Sequence, residues 1–248
     1  MHNERNKRII RDEVLFRRLV YCIEKGTGPD QRRYLQENNL ETNNAIGFRR
    51  IDNINTNLKD FVSTGEIGLI KFKRGSWQAR AVIDHAKRTV YMIATERTLA
   101  AIPKNKNRKS PHYLQSMLYV MNGDCIAKER QMTLDDFGIP IFDSNVLEHD
   151  FHDISQGQFS REDDYKLYVI SYHAERGEIK SISALLLSKE FYVVDEVSLM
   201  KYIKPDFAKL SEIDFTEVSS DDVEENREHL VTIRNGVKPR LRENEKKA

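Results

Sequence analysis

The chain has 248 residues, of which 39% are hydrophobic and 32% charged, so it is long and apolar enough to bury a core beneath an unusually charged surface. Lysine and arginine number 40 against 39 for aspartate and glutamate, and this net charge of +1 excludes a uniformly basic nucleic-acid coat but not local basic patches. Two cysteines are too few for a disulfide framework, and no apolar run approaches the ~18 residues of a membrane span. We therefore expect a soluble cytoplasmic protein without a signal peptide.

The first 62 residues predict a helical N-terminal part. Apolar residues recur at helical spacing through 9–25, and Pro29 suits the first turn of a second helix at 29–38. A third helix is predicted at 46–62. The last two helices could instead form a helix-turn-helix that reads DNA, although their connection is long for that motif. Its reading side chains would be Arg49, Arg50, Asn53, Asn55 and Asn57.

The spacing of apolar residues then changes to two, which predicts strands. Three strands, at 66–72, 77–83 and 89–95, follow one another through short turns and are expected to be antiparallel neighbours. A helix is predicted next, with Ser110 as its N-cap, Pro111 as its first residue and an end near residue 122.

The segment 124–164 has the least regular pattern and is expected to be an irregular insertion with short helical turns. Three further strands are predicted at 165–173, 179–187 and 190–196, followed by a short helix. The composition of 216–248 turns acidic and then basic, without aromatic residues, and predicts a charged, partly disordered tail.

These elements predict an α+β fold with a mainly antiparallel sheet of five to six strands, covered by helices and preceded by an N-terminal helical segment. We expect residues 1–215 to form a single domain. Its parts are the helical segment 1–62, three strands and a helix at 66–122, the insertion at 124–164, and strands plus a helix at 165–205.

Basic residues beside an aromatic residue give the strongest functional signal. Grouped cations bind phosphates, and an indole ring can stack on a base. The loops at 71–80 and 103–110 form one positive surface if they lie at the same end of the sheet; the alternative is two solvated turns with the tryptophan in the core. The candidate nucleic-acid-binding residues are Lys73, Arg74, Trp77, Lys104, Lys106, Arg108 and Lys109.

A second candidate site lies in the stretch "RGSWQARAVIDHAKRTVYMIATERTL". Arg80, Asp84, His85 and Glu96 combine a cation, two carboxylates and a histidine, and a metal-dependent nuclease needs carboxylates that converge on a metal. The lysine expected two residues after the second carboxylate is absent, because Thr98 stands there. The alternative is the solvated polar side of a hairpin, with Asp84 serving a turn.

The stretch "HDFHD" is the chain's one cluster of histidine and aspartate. His149 and His152 could meet on one helical face and hold a metal, but a third histidine or cysteine at ligand spacing is missing, so a polar loop is expected instead. No glycine-rich phosphate loop or dinucleotide fingerprint is present, and we expect no cofactor.

The stretches "GSWQARAVIDHAKRTVYMIATE", "PHYLQSML" and "YKLYVISYHAERGEIKSISALLL", followed by "FYVVDE", resemble an uncharacterised bacterial family in their order of strands and helix. That family is a domain of unknown function found in Gram-positive bacteria and their mobile elements. The resemblance covers residues 45–205. It implies a small α+β domain, often carried by phages or integrative elements, with no assigned activity and no catalytic residue to carry over.

Three classes of function stay open. The first, which we favour, is a non-enzymatic binding protein that contacts DNA or RNA through the two basic loops. The second is a protein-interaction or inhibitor module whose partner contacts 124–164 or the acidic stretch 217–228. The third is a metal-dependent, nuclease-like hydrolase that uses Asp84 and Glu96, with Arg80 beside them.

Overall fold

A computed structural model describes residues 8–38, 45–74, 77–105, 107–127 and 142–204. The described residues up to Ile203 belong to one compact unit. Within these ranges, no helix has both the length and the hydropathy needed to cross a membrane. The predicted domain end at residue 215 and the predicted tail lie outside the described residues.

In the described part of the chain, three helices precede the sheet: α1 (Glu13–Thr27), α2 (Pro29–Glu37) and α3 (Ile46–Phe61). They match the predicted helices closely, although α1 begins four residues later than expected. The reason is Asp12, whose side chain accepts a hydrogen bond from the N–H of Leu15 and so caps the helix at that point.

Helices α1 and α3 approach each other closely at Gly26. A Cβ atom at this position would lie 2.8 Å from the backbone nitrogen of Ile54, so any larger residue would push the two helices apart. The glycine therefore allows α1 and α3 to pack closely. Helix α3 also contacts the strand Trp77–Asp84 of the sheet.

Six strands form one sheet in the order in which they occur in the chain. They are β1 (Ile67–Arg74), β2 (Trp77–Asp84), β3 (Thr89–Thr95), β4 (Lys166–Glu175), β5 (Glu178–Leu187) and β6 (Val193–Ser198). Neighbouring strands are antiparallel except for β3 and β4, which run parallel. The predicted α+β class and its mostly antiparallel sheet are confirmed. The parallel pair was not anticipated, because alternation of side chains carries no information about strand direction.

The chain passes from β3 to β4 through α4 (Glu96–Lys104), α5 (Tyr113–Met121) and α6 (Ser144–Ser155). Helix α6 has 12 residues and lies within the segment predicted to be irregular, so the expectation of only short helical turns was wrong for this part. Residues 128–141 of the predicted insertion lie outside the described ranges.

The N-terminus of α5 differs from the prediction. His112, not Ser110, is the N-cap: its Nδ1 accepts a hydrogen bond from the N–H of Leu114 at 3.2 Å. In return, Oε1 of Gln115 accepts from the N–H of His112 at 2.7 Å, which completes a capping box. An imidazole thus replaces the usual hydroxyl or carboxylate acceptor.

The two faces of the sheet bury separate apolar clusters. Helices α1 and α3 cover the face that carries Val82 and Tyr91, and helices α4, α5 and α6 cover the face that carries Ile83 and Met92. Successive residues of one strand therefore lie in different cores, as the period of two predicts. If two strands of this sheet separate, the gap between them therefore has a helical layer on each side.

Candidate functional site

A cleft of about 520 Å³ opens where β2 and β3 separate. Residues 82–84 of β2 pair with residues 89–91 of β3, but β2 begins at Trp77 and β3 continues to Thr95 without further pairing between them. The two unpaired stretches form the sides of the cleft. Helix α3 forms one wall, and residues 108–113 form the opposite wall.

The backbone shows that the strands have come apart at Arg80. Arg80 belongs, with Val82 and Asp84, to the alternate residues of β2 whose backbone groups face β3. Its N–H instead donates to Oδ1 of Asn55 on α3, at 3.2 Å. Asn55, placed among the DNA readers by the sequence, therefore takes the hydrogen bond that β3 would otherwise receive. Asn57, another of the five predicted DNA-reading residues, is buried, and its side-chain amide donates a hydrogen bond to the carboxylate of Asp30.

The charged residues that line the cleft are all cations: Arg74, Arg80, Arg108 and Lys109. Only Arg74 has a carboxylate partner in the described part of the chain. The cleft therefore has an excess of positive charge in a concave, partly apolar setting, where the field of each charge is screened less than on an open surface.

Arg74 has a mainly structural role. Its guanidinium binds the carboxylate of Asp150 on α6 and donates to the carbonyl of Pro111 at 2.7 Å. Asp150 is 5% exposed and also accepts from the hydroxyl of Ser116. This network attaches the end of β1 to the wall formed by 108–113, and it neutralises the charge of Arg74.

Arg108 carries a buried donor without an acceptor. Its Nε has no hydrogen-bond partner in the described structure. A buried donor that lacks an acceptor costs about 1–3 kcal/mol, and Arg108 lines the cleft despite this cost.

His112 lies in the same wall and remains neutral. Burial, with the charges of Arg108 and Arg74, lowers the pKa of His112 to about 3. Because its Nδ1 accepts from Leu114, the proton of the neutral ring is on Nε2, which makes that atom a hydrogen-bond donor.

Aromatic rings line the end of the cleft beside β1. Trp77 stacks on Tyr113 with ring centroids 5.0 Å apart, and the ring of His112 lies 4.2 Å from that of Tyr113. Trp77 is half-buried, so it serves both alternatives considered from the sequence: it packs against the core and also borders the cleft.

Residues from both basic loops lie on one cleft, which is the arrangement that the nucleic-acid hypothesis requires. Arg74, Trp77, Arg108 and Lys109 all line one cleft. Lys73 on β1 and Lys104 at the end of α4 are exposed and do not line it. Lys106 lies outside the described residues.

The carboxylates of the nuclease hypothesis do not converge. Asp84 pairs with Thr89 at one end of β3, and Glu96 follows the other end, a separation of roughly 20 Å at ~3.3 Å per residue. Asp84 accepts from the N–H of Lys87 at 2.9 Å, which is the turn role considered as its alternative, and Glu96 accepts from the hydroxyl of Ser181.

The other members of the proposed polar sites also have local partners. Nδ1 of His85 lies 2.7 Å from the hydroxyl of Tyr165. His149, 81% exposed on α6, pairs with Asp153, and His152 is exposed on the same helix. The described residues contain no group of three or more histidine, cysteine, aspartate or glutamate side chains arranged to hold a metal.

A family model for proteins of unknown function, DUF5986, matches residues 7–248. The chain belongs to this family. No curated protein and no solved structure matches the chain. The uncharacterised domain expected from the sequence is thus confirmed at the level of the family.

In this DUF5986 member, two contributors to the cleft, His112 and Tyr113, were not expected from the sequence. Asn55 was expected only as a DNA-reading residue of a helix-turn-helix, because spacing alone does not show which polar residue meets a strand. "PHY" after a basic loop was a usable signal for the other two, since it places two rings at a helix start next to cations.

Proposed function

We propose that the chain is a non-enzymatic protein that binds nucleic acid, DNA or RNA, through the cleft between β2 and β3. The observation that carries this proposal is the set of three cations, Arg80, Arg108 and Lys109, that line the cleft without a carboxylate partner among the described residues. Among the described residues that line the cleft, none is acidic. Such a surface attracts anionic groups, of which phosphate is one, and disfavours cationic partners.

The donors of the cleft support phosphate as the bound group. Arg108 and Arg80 line the cleft as guanidinium groups, the neutral ring of His112 has its proton on Nε2, and Lys109 adds an exposed ammonium group. Phosphate supplies several acceptor oxygens at once, and arginine binds it with two parallel hydrogen bonds.

The setting in the cell forms part of the same proposal. The resemblance to a family of Gram-positive bacteria and their mobile elements suggests that the nucleic acid belongs to a phage or integrative element. A cytoplasmic location belongs to the same proposal, and it is supported by the two buried cysteines, which form no disulfide.

Binding can be measured by fluorescence anisotropy of labelled oligonucleotides at about 50 and 200 mM salt. We expect affinity to fall steeply with salt, and we expect Lys109→Gln to weaken binding and to reduce the slope of log K against log salt by about 1.

The matched control is Lys189→Gln. Lys189 is an exposed lysine in the turn after β5, at the end of the sheet opposite the cleft, and its loss should leave the slope unchanged. Absence of binding at low salt, or equal effects of the two substitutions, contradicts the proposal.

A further inference from the structure

The cleft exposes two strand edges that face each other without pairing. Because Val82 and Asp84 of β2 bond to Tyr91 and Thr89, the alternation of the backbone directs Ile93 of β3 toward β2 as well. On β2, Gln78 and Arg80 face the same gap. Asn55 takes the N–H of Arg80, and the same alternation directs the carbonyl of Arg80 and the backbone groups of Ile93 toward the gap between β2 and β3, where the cleft lies.

Free backbone edges of this kind present donors and acceptors in a fixed pattern. The hydrogen-bonding edge of an unpaired base can bind such a pattern, because no complementary base occupies its donors and acceptors. A base within a duplex has already used these groups.

The remaining walls suit a base and a phosphate at the same time. Ile51, Ile54 and Leu58 of α3 provide an apolar surface, and Trp77 and Tyr113 provide rings. The cations Arg80, Arg108 and Lys109 complete the lining. A ligand with a flat ring and an attached phosphate therefore satisfies both kinds of surface.

The size of the cleft excludes a double helix. A volume of about 520 Å³ is that of a pocket for one ligand-sized group. Arg108 is half-buried in the wall of the cleft, so a phosphate on the convex surface of a duplex meets it less readily than a phosphate inside the cleft.

We propose that the cleft binds one unpaired nucleotide of a nucleic-acid strand, so that the ligand is single-stranded, with the base against the free edges of β2 and β3 and its phosphate on Arg80, Arg108 and Lys109. This inference rests on the proposed nucleic-acid binding and specifies its substrate class.

The chain itself contains a suitable reporter, because Trp77 is its one tryptophan and lines the cleft. The intrinsic fluorescence of the full chain is titrated with a single-stranded DNA, a single-stranded RNA, the blunt duplex of the same sequence and a free mononucleotide. We expect a single strand to change the emission of Trp77 and to bind about tenfold or more tightly than the duplex.

Two substitutions test the interior of the cleft. Asn55→Asp keeps the acceptor for the N–H of Arg80 but adds a negative charge to the cleft. Arg108→Gln removes the positive charge of Arg108. Both should weaken single-strand binding about tenfold and leave duplex binding unchanged, whereas Lys189→Gln should alter neither. Circular dichroism of each variant confirms that the chain is folded.

The outcomes separate this inference from the proposed function. Duplex binding as tight as that of the single strand, with unchanged Trp77 emission, would overturn the inference and leave nucleic-acid binding intact. Mononucleotide binding as tight as that of the strand would assign the cleft to a free nucleotide and also overturn it. Failure of every nucleic acid to bind removes both proposals.

Discussion

His112 combines two roles that depend on its being neutral. It caps α5 through Nδ1 and provides a donor to the cleft through Nε2. A protonated ring would lose the cap, because Nδ1 would no longer accept, and would add a charge beside Arg108 and Arg74. The low pKa of His112 therefore keeps both the helix end and the cleft unchanged through the physiological pH range.

Acidification should destabilise the fold through His112. Its pKa is about 3 in the folded chain and near the ordinary value of 6.5 when unfolded, so between these values only the unfolded state gains a proton. The contribution of neutral His112 to the free energy of unfolding is complete above pH 6.5 and is lost as the pH falls toward 3. We expect the free energy of unfolding to drop by up to about 2 kcal/mol from this group between pH 7 and pH 5.

His112→Asn isolates this effect, because asparagine retains the capping acceptor but does not titrate. Urea unfolding at pH 7 and pH 5 should show a smaller decrease for the variant than for the wild type. Equal decreases in the two proteins would show that His112 is not the group responsible.

At the scale of the elements, the position of α3 determines the cleft. This helix provides one wall and, through Asn55, takes the backbone N–H of β2 where the sheet divides. Its distance from α1 is set at Gly26. The packing of α1 against α3 therefore controls the position of one wall of the cleft.

Gly26→Ala should destabilise the fold by about 1–3 kcal/mol, since the new methyl group would meet the backbone of Ile54, which cannot move alone. Thermal unfolding should report a melting temperature lower by roughly 2–4 °C per kcal/mol. Gly47→Ala is the control, because nothing lies within 4 Å of a Cβ atom there. A melting temperature as low for the control as for Gly26→Ala would argue against a close-approach role.

At the scale of the whole molecule, the cleft is the place where both helical layers and the sheet meet. A ligand bound there contacts α3 from one layer and residues 108–113 from the other. Such a ligand should stabilise the entire unit rather than one element, because unfolding of either layer destroys its site.

A single-stranded oligonucleotide at about 100 times its dissociation constant should add ~2.7 kcal/mol to the stability of the chain. This corresponds to a rise in melting temperature of roughly 5–10 °C for a protein of this size. Differential scanning fluorimetry with the wild type and Arg108→Gln measures it. The variant, which binds about tenfold more weakly, should gain only ~1.4 kcal/mol, about half of the rise, at the same ligand concentration. An unchanged melting temperature for the wild type would speak against binding in the cleft.

Most elements of the fold could be predicted because each rests on local spacing. The six strands alternate and the helices carry apolar stripes, and both patterns are visible in short windows. The parallel β3–β4 pair could not be predicted, because it depends on contacts between distant parts of the chain. Helix α6 was overlooked, although Leu147, Phe151 and Ile154 have helical spacing after the N-cap Asp143. The basic lining of the cleft was predictable from clustered cations, whereas Asn55 was not, since its role follows from the divergence of two strands.

The parallel pairing of β3 with β4 has a consequence for synthesis of the chain. From Thr95 to its partner Tyr172 the ribosome must add 172 − 95 = 77 residues, which takes about 4–15 s at ~5–20 residues per second. Throughout that interval, strands β1 to β3 and the helices before them have been synthesised, but the edge of β3 that pairs with β4 has no partner strand. A newly made chain is therefore most prone to aggregation, and most dependent on chaperones, just before β4 emerges.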